Sequence, residues 1–163
     1  MEPRRLSVVI PAHNEEGAIG PLVRETFAAL PGDLLDEVIV VDDASRDGTA
    51  AAVRALLPDF APRLRLIRHA TRAGQSAAVR TGVAAARSAL VGTMDGDGQN
   101  PPADLARLAA AWAPGGPQLV GGHRTQRRAA LSKRLASRLA NGLRRALLRD
   151  DCPDSGCGLK VFE

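Results

Sequence analysis

The stretch DEVIVVDDASRDGT, residues 36–49, carries a block of apolar and β-branched residues into two consecutive acids and then into a turn. The block reads as a buried strand, Asp47 and Gly48 as the turn, and Asp47 and Thr49 as helix-capping residues ahead of a helix through Leu57. Strand, acids, turn and helix form a unit that recurs on both sides. LSVVIP at 6–11 precedes Ile19, Leu22, Val23, Thr26, Phe27 and Leu30, which repeat at helical spacing between Ala18 and Leu30. LRLIRH at 64–69 precedes a helix from about Gln75 to Arg87, ALVGTM at 89–94 precedes one from Ala103 to Trp112, and QLVGGH at 118–123 closes the series. This alternation predicts an α/β fold, a mainly parallel sheet with helices on both faces. In such sheets ligands gather beyond the carboxyl ends of the strands.

Length and composition fit one such domain. The chain has 163 residues, 45% hydrophobic and 25% charged, which suits a soluble globular protein with a sizeable core. There is no uninterrupted apolar run of membrane-spanning length, and MEPRRL leads into a strand without the apolar region of a signal peptide, so a cytoplasmic location is expected. Cys152 and Cys157 are too few for a disulfide framework and have no histidine nearby in sequence, which makes free thiols the expectation. A net charge of +4 and a pI near 10.0 raise nucleic acid as a partner, but aromatic residues make up only 2% and no finger, zipper or RNA-recognition pattern is present. Nucleic acid is therefore not expected.

The strand ends carry the chemistry. PAHNEE follows the first strand, DDAS the second, DGDGQ the fourth and GGHR the fifth. Several acidic turns at one sheet edge would repel one another, which favours a divalent cation or a hydrogen-bonding ligand among them. In TMDGDGQNPP, residues 93–102, Asp95 and Asp97 stand between glycines that let a ligand approach the backbone. The same residues also suit an ordinary acidic turn. GxGxxG and GxxxxGK are both absent, so a phosphate group would be met by a metal held on acids rather than by a glycine loop.

Six motifs in order resemble the family 2 glycosyltransferases of GT-A fold, in particular the branch similar to dolichyl-phosphate mannosyltransferase: VVIPAHNEE (8–16), VIVVDDASRDGT (38–49), GQSAAVRTGVAAA (74–86), MDGDGQNPP (94–102), GGHR (121–124) and DSGCGLKVF (154–162). The resemblance covers essentially the whole chain. It implies one catalytic domain over 1–163, short of the family's usual C-terminal portion, and a Rossmann-like sheet.

Carried over by position, the resemblance puts Pro11, Ala12, Asn14 and Glu15 at the nucleoside and Asp42 or Asp43 at the base or ribose. Asp95 and Gly96 belong to the nucleotide-sugar site, and Asp95, Asp97 and Gln99 to the diphosphate and its Mg²⁺ or Mn²⁺. The implied reaction is inverting transfer of a sugar from a nucleoside-diphosphate sugar, GDP-mannose or a UDP-sugar, to an acceptor such as a polyprenyl phosphate. Asp97 and Arg124 are the expected catalytic residues. A phosphate acceptor needs no general base, whereas a sugar hydroxyl would, and Asp154 is the candidate, with a turn role in PDSG as the alternative.

Between Arg124 and Arg149 the basic residues, among them Arg134 and Arg138, stand without an acid, and Leu131, Leu135, Leu139, Leu143 and Leu147 recur every four residues. This is an amphipathic helix pattern. Its leucines complete a core, while Arg124, Arg134 and Arg138 are expected to meet the acceptor phosphate, with an anionic membrane surface as a further partner. A nucleotide-sugar-binding domain without transfer activity and a nucleotidyltransferase of similar fold are the competing readings.

Overall fold

The computed structural model describes residues 5–113, 115–116, 119–122 and 157–163. Six strands form one sheet in the order β3-β2-β1-β4-β6-β5. These are β1 (Leu6–Ala12), β2 (Leu35–Asp42), β3 (Leu64–Arg68), β4 (Leu90–Thr93), β5 (Leu119–Gly121) and β6 (Lys160–Phe162). β1 pairs in parallel with β2 and with β4, and β2 with β3. β6 lies antiparallel between β4 and β5.

The central strands are apolar without alternation because both of their faces are covered. All seven residues of β1 are buried, as are seven of the eight in β2. On one face, helices α1 (Glu16–Ala29), α2 (Thr49–Arg54) and α5 (Ala103–Ala111) bring Ile19, Val23, Val53 and Leu105 onto Val8, Ile10, Val38 and Val40. On the other, α4 (Gln75–Ala85) packs Ala78 against Val9, Ile39 and Val41. α4 comes so close to β1 that a Cβ on Gly82 would overlap the Val9 side chain, so glycine is required there.

Two expectations need correction. The single helix expected over 49–57 is two pieces, α2 and the short α3 (Leu57–Phe60). Pro58 explains the break: it has no N–H for an i−4 bond, yet it is tolerated in the first turn of a new helix. The second correction is β6, which the sequence reading treated only as part of a motif. As a three-residue strand it enters the sheet antiparallel beside β4, which ends two residues before Asp95 in the chain.

The strand order fixes where a site can form. From β1 the chain moves outward to β2 and β3, then returns to place β4 on the opposite side of β1. The order reverses between β1 and β4, and the crevice beyond their carboxyl ends is left uncovered by either crossover.

Candidate active site

A cleft of about 340 Å³ opens at that crevice. β1 contributes Pro11 and Ala12 to its walls, the following turn contributes His13 and Glu15, and Asp43 is the residue directly after β2. Arg72 and Gly74 come from the loop between β3 and α4, Gln75 is the first residue of α4, and Asp95, Gly96 and Asp97 come from the turn after β4. Gly96 permits the close approach of the two central turns, since a Cβ there would sit 2.8 Å from the Pro11 carbonyl oxygen. A similar constraint holds at Gly158, where a Cβ would overlap the Asp95 carboxylate.

The two acidic turns at β1 and β2 are laced together before any ligand arrives. Asn14 adopts a φ of 59°, a left-handed conformation that asparagine tolerates. Its N–H donates to Ser45 Oγ at 2.9 Å and its Oδ1 accepts from the Arg46 N–H at 2.9 Å. Asp47 accepts from the Thr49 N–H at 3.0 Å, the Thr49 hydroxyl at 2.5 Å and the Glu16 N–H at 3.2 Å, so one carboxylate serves the first residues of both α1 and α2. The hydrogen bond from the Thr49 side chain, together with those backbone bonds, holds Asp47 below its ordinary pKa. Glu16 Oε2 returns the interaction by accepting from the Gly48 N–H at 2.6 Å. Neither expected residue is the cap itself: Gly48 is the N-cap of α2, Thr49 is its first helical residue, and Asp47 bonds the Thr49 N–H from the residue before the cap.

Asp43 organises the opposite wall. Oδ1 accepts from His69 Nδ1 at 2.7 Å and from the Ala73 N–H at 2.8 Å, and Oδ2 from the Gly74 N–H at 2.7 Å. His69 Nε2 is 2.9 Å from Thr81 Oγ1, which anchors the ring to α4. Burial by itself would raise the pKa of Asp43, but the hydrogen bonds from Ala73, His69 and Gly74 outweigh it and hold the carboxyl below its ordinary value. Gly74, at φ 92°, then starts α4. Gln75 follows and donates from Nε2 to Asp95 Oδ1 at 2.7 Å, linking this wall to the turn after β4.

The structure thus brings Pro11, Ala12, Glu15, Asp43, Asp95, Gly96 and Asp97 to one cleft. It does not bring Asn14, Asp42 or Gln99 there. Asn14 braces the two turns as described. Asp42 is completely buried, and its carboxylate accepts from the Ser45 N–H and from Arg68 Nε, both at 2.9 Å. The exposed Gln99 donates its N–H to Asp97 Oδ1 at 3.0 Å, closing a local turn. Arg124, Arg134, Arg138, Asp154 and Cys152 lie outside the described residues, as does the amphipathic pattern of 131–147. Cys157 is a buried free thiol.

Arg72, Gln75 and His69 were absent from the sequence-based site. A signal for them existed: HATRAGQ, residues 69–75, follows β3 at the same sheet edge, and the rule that selected the acids applies equally to that connection.

Acid predominates in the cleft. Partial burial, and then repulsion from Asp97 and Asp47, raise the pKa of Glu15. A cation beside Asp95 and Asp97 would relieve part of that repulsion. Among the described residues no group of three or more His, Cys, Asp or Glu side chains could hold a metal by itself. Two carboxylates fit Mg²⁺ or Mn²⁺ when substrate phosphates and water complete the shell, the usual arrangement for a hard ion that keeps part of its hydration.

Comparison with known proteins agrees with this geometry. The family description "Glycosyl transferase family 2" matches residues 7–160. Dodecaprenyl-phosphate galacturonate synthase of Rhizobium johnstonii is 35% identical over 159 residues, covering 96% of this chain and 47% of that protein. Undecaprenyl-phosphate 4-deoxy-4-formamido-L-arabinose transferase of Edwardsiella ictaluri is 34% identical over 158 residues, covering 96% of this chain and 48% of its own length. The chain thus spans about half the length of these relatives. Among solved structures, a mannosyltransferase from Pyrobaculum calidifontis in complex with GDP-mannose and Mn²⁺ superposes with a TM-score of 0.64 at 30% identity, over 73% of this chain and 35% of that one. Glucosyl-3-phosphoglycerate synthase from Mycobacterium tuberculosis with Mn²⁺, UDP-glucose and phosphoglyceric acid gives 0.72 at 25% identity, over 98% and 56%.

Proposed function

Because the chain belongs to glycosyl transferase family 2 and has its GT-A fold, we propose that its cleft binds a nucleoside-diphosphate sugar and that the sugar is transferred, with inversion, to a polyprenyl phosphate. The observation that carries this reading is the meeting of Asp43, Glu15, Asp95 and Asp97 in one cleft at the β1/β4 switch point. The names of the relatives, two of them polyprenyl-phosphate sugar transferases, support the acceptor class.

Each wall has a task. Pro11, Ala12 and Ala78 give an apolar surface against which a base or ribose packs, with Glu15 and the Asp43 loop at its edges. Arg72 supplies positive charge for a phosphate. Asp95 and Asp97 would hold a divalent cation, Mg²⁺ or Mn²⁺, and Gln75 fixes the orientation of Asp95. When bound, such a cation acts as a Lewis acid that stabilises charge developing on a leaving diphosphate. The acceptor phosphate oxygen forms its bond to the anomeric carbon as the bond to the diphosphate breaks. That oxygen is already anionic, so no side chain has to remove a proton.

Calorimetry with GDP and UDP, each with and without Mn²⁺, tests nucleotide binding, and incubation of the matching sugar nucleotide with undecaprenyl phosphate tests transfer. The expected result is Mn²⁺-dependent binding of one nucleotide and a sugar-phospholipid product. Binding that ignores Mn²⁺ would remove the role given to Asp95 and Asp97. With no isolated membrane-spanning helix among the described residues, peripheral contact with a membrane would bring the chain to such an acceptor.

A further inference from the structure

A smaller cavity of about 110 Å³ lies beyond the main cleft and shares Pro11, Gln75 and Asp95 with it. Asp95 is thus a wall between two compartments. The smaller one has an apolar lining from Val79, Met94 and Phe162, and it contains Lys160. Lys160 opens β6 and sits opposite Thr93 in the antiparallel pair, two residues from Asp95. Thr93 in turn donates to the Gly158 carbonyl at 3.0 Å, which fixes the segment leading into β6. Lys160 is partly buried and forms no ion pair among the described residues.

Asp95 lines the same cavity but forms no ion pair with Lys160, so this half-buried ammonium is open to a substrate anion. We propose that Lys160 and this cavity form an anion subsite that receives the acceptor's phosphate group. The assignment rests on the proposed transfer reaction and deepens it. In-line displacement requires the attacking and leaving oxygens on opposite sides of the anomeric carbon. With a nucleoside toward Asp43 and its diphosphate at Asp95 and Asp97, the leaving group occupies the large cleft, and the attacker arrives from the side of Lys160. There a phosphate anion meets repulsion from Asp95, and the Lys160 ammonium offsets it at short range. The step balances without an acid or base: one phosphate oxygen bonds to carbon and the carbon–oxygen bond to the diphosphate breaks.

The test is calorimetric titration of farnesyl phosphate into the protein loaded with Mn²⁺ and whichever of GDP and UDP it binds, with farnesol as the uncharged control. Lys160→Gln is expected to weaken farnesyl phosphate on the order of 10- to 100-fold. Lys160→Arg should recover most of that loss, and nucleotide affinity should stay within about twofold for both variants. An unchanged farnesyl phosphate affinity in Lys160→Gln, or none in the wild type, would overturn the assignment. A loss of nucleotide affinity in its place would identify the donor's phosphates as the anion and overturn it equally. Equal weakening of farnesol would mean lost packing, which also overturns it. Failure of the broader reading looks different: wild-type protein would move no sugar to farnesyl phosphate, even with the binding difference at Lys160 intact.

Discussion

The two edges of the sheet handle acid in opposite ways. At the amino-terminal edge, Glu37 is completely buried, and every interaction it makes is supplied by the protein. Ser7 Oγ donates to it at 3.0 Å, the Arg87 N–H at 2.7 Å and Arg65 Nη1 at 2.9 Å. Nearby, Asp36 accepts from Arg5 and from the Ser88 hydroxyl. At the carboxyl-terminal edge, Glu15, Asp43, Asp95 and Asp97 face one cleft whose only guanidinium among the described residues is that of Arg72. An acid matched by an arginine serves folding; an excess of acid over guanidinium at a cleft is charge that a bound cation would answer. Asp42 shows that the distinction is made residue by residue, since it lies at the carboxyl edge yet is matched by Arg68.

The largest effect expected from this comparison is on stability. Glu37→Gln keeps the volume but leaves Arg65 without its counterion and turns an amide toward N–H donors, so unfolding in urea should show a loss of about 3 kcal/mol. Arg65 retains some solvent contact, with 31% of its side chain exposed, which tempers the loss. Nucleotide affinity of the protein that remains folded should not change. A substantial drop in that affinity would break the division between the edges.

Asp97→Ala should do the reverse. Mn²⁺-dependent nucleotide affinity is expected to fall about 100-fold, because the proposed ligand to the cation is removed. Stability should stay within about 0.5 kcal/mol of wild type, since Asp97 is exposed and repels Glu15. Calorimetry and urea unfolding on one preparation decide it; a large loss of stability with unaltered Mn²⁺ dependence would make Asp97 a structural acid like Glu37.

Asp43 lies between the two cases, buried like Glu37 but placed in the cleft. Asp43→Asn retains one acceptor and sets an amide against the N–H of Ala73 or Gly74. A loss of about 1.5 kcal/mol in stability and about tenfold in nucleotide affinity follows from the loosened loop. The pH dependence has a definite sign. The folded pKa of Asp43 lies below its ordinary 3.8, so its stabilisation is fully present above 3.8 and disappears as pH falls through the folded value. Thermal melts of wild type and variant should therefore converge only in strong acid. Convergence near neutrality would show that this carboxylate is not the charge in control.

Most of the fold was legible because a parallel sheet with both faces covered leaves long apolar blocks, as in SVVIPA and EVIVVD, and helices leave Ile19, Leu22, Val23 and Thr26. β6 was not legible: three residues carry too little periodicity, and its position depends on a pairing distant in sequence, Thr93 with Lys160. In the candidate site, acids at strand ends were visible as interruptions of apolar runs. Adjacent acids were not separable by sequence, because which of Asp42 and Asp43 turns to the cleft depends on the pleat and on Arg68 from another strand. Asn14 and Gln99 sat in the right turns, but their backbone roles depend on loop conformation. Arg72 and Gln75 went unseen since no apolar run ends in them.

Arg72 gives the smallest expected effect and the finest test of the contrast between edges. It is exposed, and among the described residues it makes no ion pair, whereas Arg65 at the other edge is engaged with Glu37. An exposed surface cation interacts weakly with a phosphate, so Arg72→Gln should cost about three- to fivefold in nucleotide affinity and leave stability unchanged. The discriminating quantity is salt dependence. If Arg72 acts by charge on the diphosphate, wild-type affinity should fall more steeply with added KCl than that of the variant, and the two should approach each other at high ionic strength. Parallel salt curves would mean that Arg72 acts through packing, and the acid excess of the cleft would then be answered by the cation and substrate alone.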